Sequence, residues 1–303
     1  MKRVVAVVGP TGVGKSTLAL RLAGDFNGEI ISADSRQIYR YMDIGTAKPT
    51  QTEQSRVPHH LIDIIDPDQN FSLAQYQELA YKTIDEVDSR DRLPILAGGS
   101  GLYVQAVLEG WQIPRVVPDM GFRKHLEERA ASGEAEELYE ELKRLDAEAA
   151  KCIDPRNVRR VIRALEIRQD SDINSKPAKT KPHFDYLIIG LTTTRKVLYQ
   201  RIDERVDDMV ARGLVEEVRK LVYKGYGLEL PAMSGIGYRQ IGAFLQGKTS
   251  LEESIRRVKN ESHRLVRQQY NWFGLKNDRI HWFDVDNEPY IEIKALVTEF
   301  LKA

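Results

Sequence analysis

Residues 9–16 read GPTGVGKS, which satisfies the spacing G-x-x-x-x-G-K-[ST] at every fixed position. The chemistry this pattern serves is anion binding. Gly12 and Gly14 let backbone N–H groups approach phosphate oxygens, and Lys15 supplies a point charge to the terminal phosphate. Ser16 offers an oxygen to Mg²⁺, a hard cation that prefers such ligands, and is the expected metal ligand. The helix that follows adds the positive end of its dipole. The expected diphosphate-binding set is therefore Gly9, Pro10, Thr11, Gly12, Val13, Gly14, Lys15, Ser16 and Thr17. What such a loop recognises is a diphosphate with its metal, and no adenosine is required.

Two further candidates lie downstream. Asp34 sits in ADSRQIYRYMDIGTAKP (33–49), at the end of a strand-like run. Ligands of open α/β sheets bind at the carboxyl ends of strands. Asp34 is open to two readings, a base or metal partner for a bound substrate, or the N-cap of a helix. Ser100 in GGSGLY (98–103) stands at the equivalent place after another strand, as a site residue or as a cap. The Gly and Pro around Thr46 in MDIGTAKP imply an irregular loop nearby.

The elements that must position these residues can be read from periodicity. Val4 to Val8 is a β-branched run stopped by Gly9 and Pro10, a buried strand. EIISAD (29–34), HLIDIID (60–66), LPILAGG (93–99), FDYLIIGL (184–191) and RIHWFD (279–284) are the other strand candidates. Helical patterns fall between them, at 16–26, 73–88, 195–223 and 251–273. Strand, glycine loop and helix follow in the order of a P-loop fold. The alternation predicts an α/β protein with a P-loop NTPase or kinase-like parallel sheet covered on both faces.

The alternation stops between 113 and 184, where the periodicity is helical. The stretch opens with IPRVVPD (113–119) and closes with DSDINSKPAKTKPH (170–183), both suited to linkers. We expect a helical domain, 113–184, inserted into a core made of 1–112 and 185–303. Placed on a helix, RNVRRVIRALEIR (156–168) puts Arg156, Arg159, Arg160 and Arg163 within about 100° of one another, with Val158, Val161, Ile162 and Leu165 opposite. Residues 119–150 hold ten acids against five bases, and 151–183 four acids against nine bases. A polyanion-binding surface explains this segregation, and so does ion pairing inside the domain. A second stripe, Arg256, Lys259, His263 and Arg267 near Tyr270, extends that surface or is simply the face of a surface helix.

Bulk composition excludes little. The 303 residues carry 45 Lys and Arg against 45 Asp and Glu, so any anion-binding signal must be local. One cysteine, Cys152, makes neither an internal disulfide nor a cysteine-based zinc site and fits a reducing compartment. No apolar run approaches the roughly 18 residues that span a bilayer. Met1-Lys2-Arg3 before VVAVV mimics a signal peptide, but the apolar run is too short. A cytoplasmic enzyme is expected, with no membrane and no obligate protein partner. His59-His60 lacks metal-ligand spacing, and Trp111, Trp272 and Trp282 sit in apolar contexts that favour core packing.

GPTGVGKS, DSRQIYRYMDIGTAKP, PHHLIDIIDP (58–67), GGSGLY, RRVIRALEI (159–167) and MSGIGYRQ (233–240) occur in the order and spacing of the tRNA dimethylallyltransferases, and the chain resembles that family over nearly its whole length. RKVLYQRIDERVDDMVARGLVEEV (195–218) resembles the family's long helix after the insertion. One departure is mild: GGS stands where many members have GGT. The resemblance implies transfer of a dimethylallyl group from its diphosphate to the exocyclic amine of the adenosine 3′ of the tRNA anticodon. It implies Asp34, Ser100 and Arg205 as catalytic residues, Mg²⁺ as cofactor, and an anticodon stem-loop as partner. It also implies tRNA contacts from Asp34, Ser35, Arg36, Gln37, Ser100, Gly101, Arg123, Arg159, Arg160, Val161, Ile162 and Arg163. From periodicity alone, Arg205 reads as part of an exposed i,i+4 arrangement. The competing expectations are a small-molecule P-loop kinase using ATP, an adenylate isopentenyltransferase acting on free nucleotide, and a non-catalytic RNA-binding protein.

Overall fold

The computed structural model describes residues 2–114, 119–169 and 179–303. From the N-terminus run β1 (Lys2–Val8), α1 (Lys15–Asp25), β2 (Gly28–Ser32), α2 (Gln51–Arg56), β3 (His59–His60), α3 (Leu73–Asp88), β4 (Leu93–Ala97) and α4 (Gly101–Leu108). Helices α5 (Met120–Ala131), α6 (Ala135–Leu145), α7 (Ala147–Lys151) and α8 (Val158–Gln169) follow. The chain continues with β5 (Phe184–Thr192), α9 (Arg195–Ala211), α10 (Leu214–Tyr223), α11 (Tyr238–Leu245), α12 (Leu251–Phe273), β6 (Ile280–Asp284) and α13 (Tyr290–Lys302). Two compact units result, Met1–Gly110 with Lys181–Ala303, and Trp111–Thr180, where the sequence pattern placed the boundaries at 113 and 184.

In the first unit six strands form one sheet in the order β3-β2-β4-β1-β5-β6, and every pairing is parallel. β1 lies centrally, with Val5 opposite both Ile95 and Leu187, and is buried along Val4–Val8. This is why its sequence is an unbroken apolar run rather than an alternation. Val5 and Val7 face Leu18 and Leu22 of α1 and Leu198 and Ile202 of α9. Val4, Ala6 and Val8 face Tyr76 and Ile84 of α3 and Tyr103 and Val107 of α4. Each such large side chain contributes about 1.5–3 kcal/mol by leaving water. A further cluster gathers Ile38 and Met42 with Leu214, Val218 and Tyr238, and supports the loop that follows β2.

Three expectations are corrected. The second strand stops at Ser32, so Asp34 stands two residues past it. The third strand is only His59–His60, because Leu61 (φ 60°) and Asp63 (φ 55°) turn into the left-handed region. The chain there pairs instead with the post-β2 loop, Asp63 N–H donating to Gln37 O at 3.1 Å and Ile64 N–H to Ile38 O at 2.8 Å. The helical pattern at 195–223 is two helices, α9 and α10, broken at Gly213 (φ 102°). A residue without Cβ adopts that angle at little cost.

The second unit packs α5, α6, α7 and α8 around Leu126, Leu138, Leu142, Val161, Ile162 and Leu165. Glu166 is buried there and is gripped by both Arg123 nitrogens, at 2.7 and 2.8 Å, and by Arg163 at 3.2 Å. The expected linkers fall partly on 115–118 and 170–178, outside the described residues.

Candidate active site

The glycine-rich loop leaves β1 through Gly9 (φ 141°), where a Cβ would lie 2.5 Å from the Leu191 carbonyl of β5. Gly14 (φ 101°) caps α1 from the left-handed region. Between them the loop turns at Gly12, and the Val13 side chain is buried in the core. Thr11, Lys15 and Ser16 line a cleft of about 560 Å³ at the carboxyl edge of the sheet. The Lys15 ammonium donates to Pro10 O at 2.8 Å, and Thr17 is exposed on the first turn of α1.

The cleft gathers Asp34, Ser35, Arg36, Gln37, Ser100, Gly101 and Arg205 as well. They come from three places in the chain, the segments after β2 and β4 and the middle of α9. Ser100 is hydrogen-bonded from both directions: its N–H donates to Ala33 O at 3.1 Å, and its Oγ accepts from Ser35 N–H at 3.0 Å. Asp34 Oδ1 accepts from Arg36 N–H at 2.8 Å, which shapes the turn after β2. The arginine and glutamine beside it are taken up locally. Arg36 donates to Pro231 O at 2.9 Å, and Gln37 accepts from Ser32 Oγ at 2.9 Å.

The MDIGTAKP loop brings Gly45, Thr46 and Ala47 to the same cleft. Two residues that sequence reasoning left unassigned hold it. Glu217 of α10 accepts three consecutive backbone N–H groups, from Asp43 (3.0 Å), Ile44 (2.7 Å) and Gly45 (3.1 Å), and the Tyr238 hydroxyl at 2.6 Å. Burial, reinforced by the Glu217 carboxylate, holds the Tyr238 phenol well above its ordinary pKa. Lys48 is buried beneath the loop, donating to Tyr39 O, Asp43 and Asp63.

The electrostatics favour an anion. Desolvation pushes Lys15 down to about 7, the Arg205 guanidinium pushes the same way, and Asp34 opposes both. Desolvation also lowers Arg205, again against Asp34. Neither cation forms an ion pair among the described residues. Arg205 is thus a half-buried cleft residue and not part of an exposed surface pair, while Arg201 turns away to Asp286 at 3.4 Å.

Six cleft residues come from α12, among them Gln269 and Trp272. Gln269 is buried, and Trp272 lines the wall beside Gly101, so its aromatic ring serves the site and not only the core. The readable sign was a long polar side chain on a mostly apolar stripe, since Ser254, Val258, Val266, Gln269 and Phe273 are the buried face of α12. Three of the four residues in the basic stripe on that helix meet α9. Lys259 pairs with Asp207 at 2.7 Å, His263 stacks on Tyr199 at 3.9 Å, and Arg267 donates to Tyr199 at 2.9 Å. That face binds α9.

In the second unit the arginines divide. α8 begins at Val158, so Arg156 precedes it and pairs with Asp154 at 2.8 Å. Arg123 and Arg163 hold Glu166. Val161 and Ile162 are 1% and 4% exposed, so their side chains belong to the core and are not available to RNA. Arg159 and Arg160 are exposed and form no ion pair among the described residues.

A parallel sheet with a P-loop at its central strand defines the class, a P-loop-type α/β protein, and its cleft gathers Lys15, Arg205 and Asp34. Residues 37–278 match the model of the IPP transferase family. The tRNA dimethylallyltransferase of Dehalococcoides mccartyi is 47% identical over 300 residues, covering 98% of this chain and 92% of that protein. The crystal structure of a tRNA isopentenylpyrophosphate transferase from Bacillus halodurans superposes with a TM-score of 0.75 at 42% identity, over 100% of this chain and 97% of that one. A eukaryotic dimethylallyltransferase, captured acting on tRNA, superposes with a TM-score of 0.78 at 28% identity, over 94% of this chain and 74% of that one. The chain belongs to the IPP transferase family.

Proposed function

We propose that the protein transfers a dimethylallyl group from dimethylallyl diphosphate to the exocyclic amine of the adenosine 3′ of the anticodon in tRNA, releasing diphosphate. Family membership supports this reading, and one observation carries it at the site: Lys15 and Arg205 face the P-loop cleft with no ion-pair partner among the described residues, with Asp34 beside them.

An allylic C–O bond breaks readily once charge on the departing diphosphate is neutralised, because the carbon left behind is resonance-stabilised. Lys15, the loop amides and Arg205 supply that neutralisation in a partly desolvated cleft. The amine of adenine is a weak nucleophile, because its lone pair is delocalised into the ring. Asp34 accepts its proton as the C–N bond forms. Ser100 holds the Asp34 segment through Ser35. The target base leaves its stack to reach the cleft, at a cost of a few kcal/mol.

Among the described residues no group of three or more His, Cys, Asp or Glu side chains could hold a metal. Ser16 and Asp34 both line the cleft, and such a donor set fits a Mg²⁺ that arrives with the diphosphate and keeps several waters. Ser16 would hold it, and the ion would stabilise charge on the leaving group. Arg159 and Arg160 of α8 supply phosphate contacts to the RNA.

The test is incubation with dimethylallyl diphosphate and unmodified tRNA, followed by mass analysis of the nucleosides. A dimethylallyl-adenosine product supports the reading. ATP turnover with unmodified tRNA would replace it with a kinase.

A further inference from the structure

Gln269 bridges from α12 to both sides of the cleft, and its geometry admits one orientation. Its Oε1 accepts from Thr11 N–H of the diphosphate loop at 2.8 Å, and its Nε2 donates to Gly99 O of the post-β4 turn at 3.0 Å. A backbone N–H only donates and a backbone carbonyl only accepts, so the amide cannot be reversed without losing both bonds. The side chain is buried on the apolar face of α12, between Val266 and Phe273. The backbone of Gly99 is fitted to the same placement. A Cβ at Gly99 would lie 2.3 Å from Gln269 Nε2, so this glycine is what admits the amide. Its backbone is outside the left-handed region, so no φ requirement accounts for glycine there.

We infer that Gln269 is a positioning residue that fixes the spacing between the leaving-group side of the cleft and the acceptor side. Thr11 belongs to the loop that holds the diphosphate. Gly99 precedes Ser100, whose hydroxyl holds Ser35 next to Asp34. One amide therefore ties the two halves of the reacting geometry across sequence separations of 258 and 170 residues. The inference rests on the transfer reaction proposed above. Because the amide holds parts of the enzyme rather than substrate, its loss acts on alignment in the transition state more than on ground-state binding. A displacement of about 1 Å in such a site can cost about 100-fold in rate.

The experiment compares wild type, Gln269→Met, Gln269→Glu, Gly99→Ala and the double variant Gln269→Met/Gly99→Ala, using dimethylallyl diphosphate and a tRNA transcript. Gln269→Met removes both bonds at similar volume. Gln269→Glu keeps the Thr11 bond and sets an acceptor against the Gly99 carbonyl. Each single variant should lower kcat about 10- to 100-fold. KM for tRNA and Kd for inorganic diphosphate should change less than about threefold. The double variant should be no worse than the poorer single, because both substitutions break one contact. Gly99→Ala leaves the α12 face intact, so it carries the test if Gln269→Met does not fold. Unchanged kcat in both, effects confined to KM, or losses that multiply in the double variant would overturn the inference. Wild-type protein that fails to prenylate tRNA defeats instead the function on which it rests.

Discussion

The N–H of Ser35 donates to the hydroxyl of Ser100 at 3.0 Å, joining the turn after β2 to the turn after β4 beside the bond from Ser100 N–H to Ala33 O. Ser100→Ala leaves Ser35 without that acceptor and frees the Asp34 segment. We expect kcat for prenyl transfer to fall about 10- to 100-fold, with a stability loss near 1 kcal/mol. Ser100→Thr keeps the oxygen and should stay within a few-fold of wild type. Steady-state kinetics on the two variants decides, and equal loss in both would refute the hydroxyl's role.

Asp34→Asn removes the proton acceptor while keeping the shape of the turn. Transfer in a single turnover should slow about 10²- to 10⁴-fold. Binding of inorganic diphosphate should hold or tighten, because a negative charge has left the cleft. Full-speed transfer by this variant would remove Asp34 from the mechanism.

Lys15 sets a pH dependence. Its ordinary value is 10.5, and desolvation brings it to about 7. At pH 8 the free enzyme therefore holds this amine largely neutral, while a bound diphosphate favours the ammonium. Binding then takes up about one proton, and affinity falls as pH rises above 7. Calorimetry in buffers of different ionisation enthalpy measures the uptake. Lys15→Arg, charged throughout, should take up about one proton fewer, and subtracting it cancels the ligand's own titration. Equal uptake in both proteins would show Lys15 to be charged from the start.

Glu217 accepts four hydrogen bonds from the loop at 43–45 and from Tyr238. Glu217→Ala leaves three backbone N–H groups without a partner. The expected loss is about 3 kcal/mol, or roughly 6–12 °C in Tm for a unit of this size. KM for tRNA should rise, because Gly45, Thr46 and Ala47 line the cleft. A thermal scan showing a shift under one degree would mean that the loop holds itself.

Arg159→Ala/Arg160→Ala should weaken tRNA binding roughly 5- to 30-fold and leave kcat at saturating tRNA unchanged. The slope of log affinity against log salt should become shallower by about one per arginine. Filter binding at several salt concentrations tests this, and an unaltered slope would mean that neither side chain meets a phosphate.

Much of the fold was legible before any coordinates. β1 reads as buried on both faces because it is buried on both faces, and the helices at 73–88 and 251–273 begin and end where their apolar spacing does. The failures have local causes. HLIDIID keeps its apolar alternation, yet Lys48 draws Asp63 into a turn with a left-handed backbone. The arginines of 156–168 look like one surface on a helical wheel. A wheel cannot show that Glu166 is buried with Arg123 and Arg163 around it, or that α8 starts after Arg156.

The sequence by itself determined that a phosphate loop follows a buried strand, that Asp34 and Ser100 stand at the carboxyl ends of two other strands, and that a helical segment interrupts the alternation. These properties depend on neighbours within one or two turns of chain, where residue type and spacing dictate backbone shape. Only the tertiary structure decided that Arg205 faces the cleft while Arg201 does not, that Glu217 holds the loop at 43–45, and that Gln269 meets Thr11. Those outcomes depend on which distant faces pack together. Burying the apolar stripes of α9 and α12 brings Arg205 and Gln269 to the cleft at the carboxyl edge of the sheet, and burying that of α10 brings Glu217 to the loop beside it.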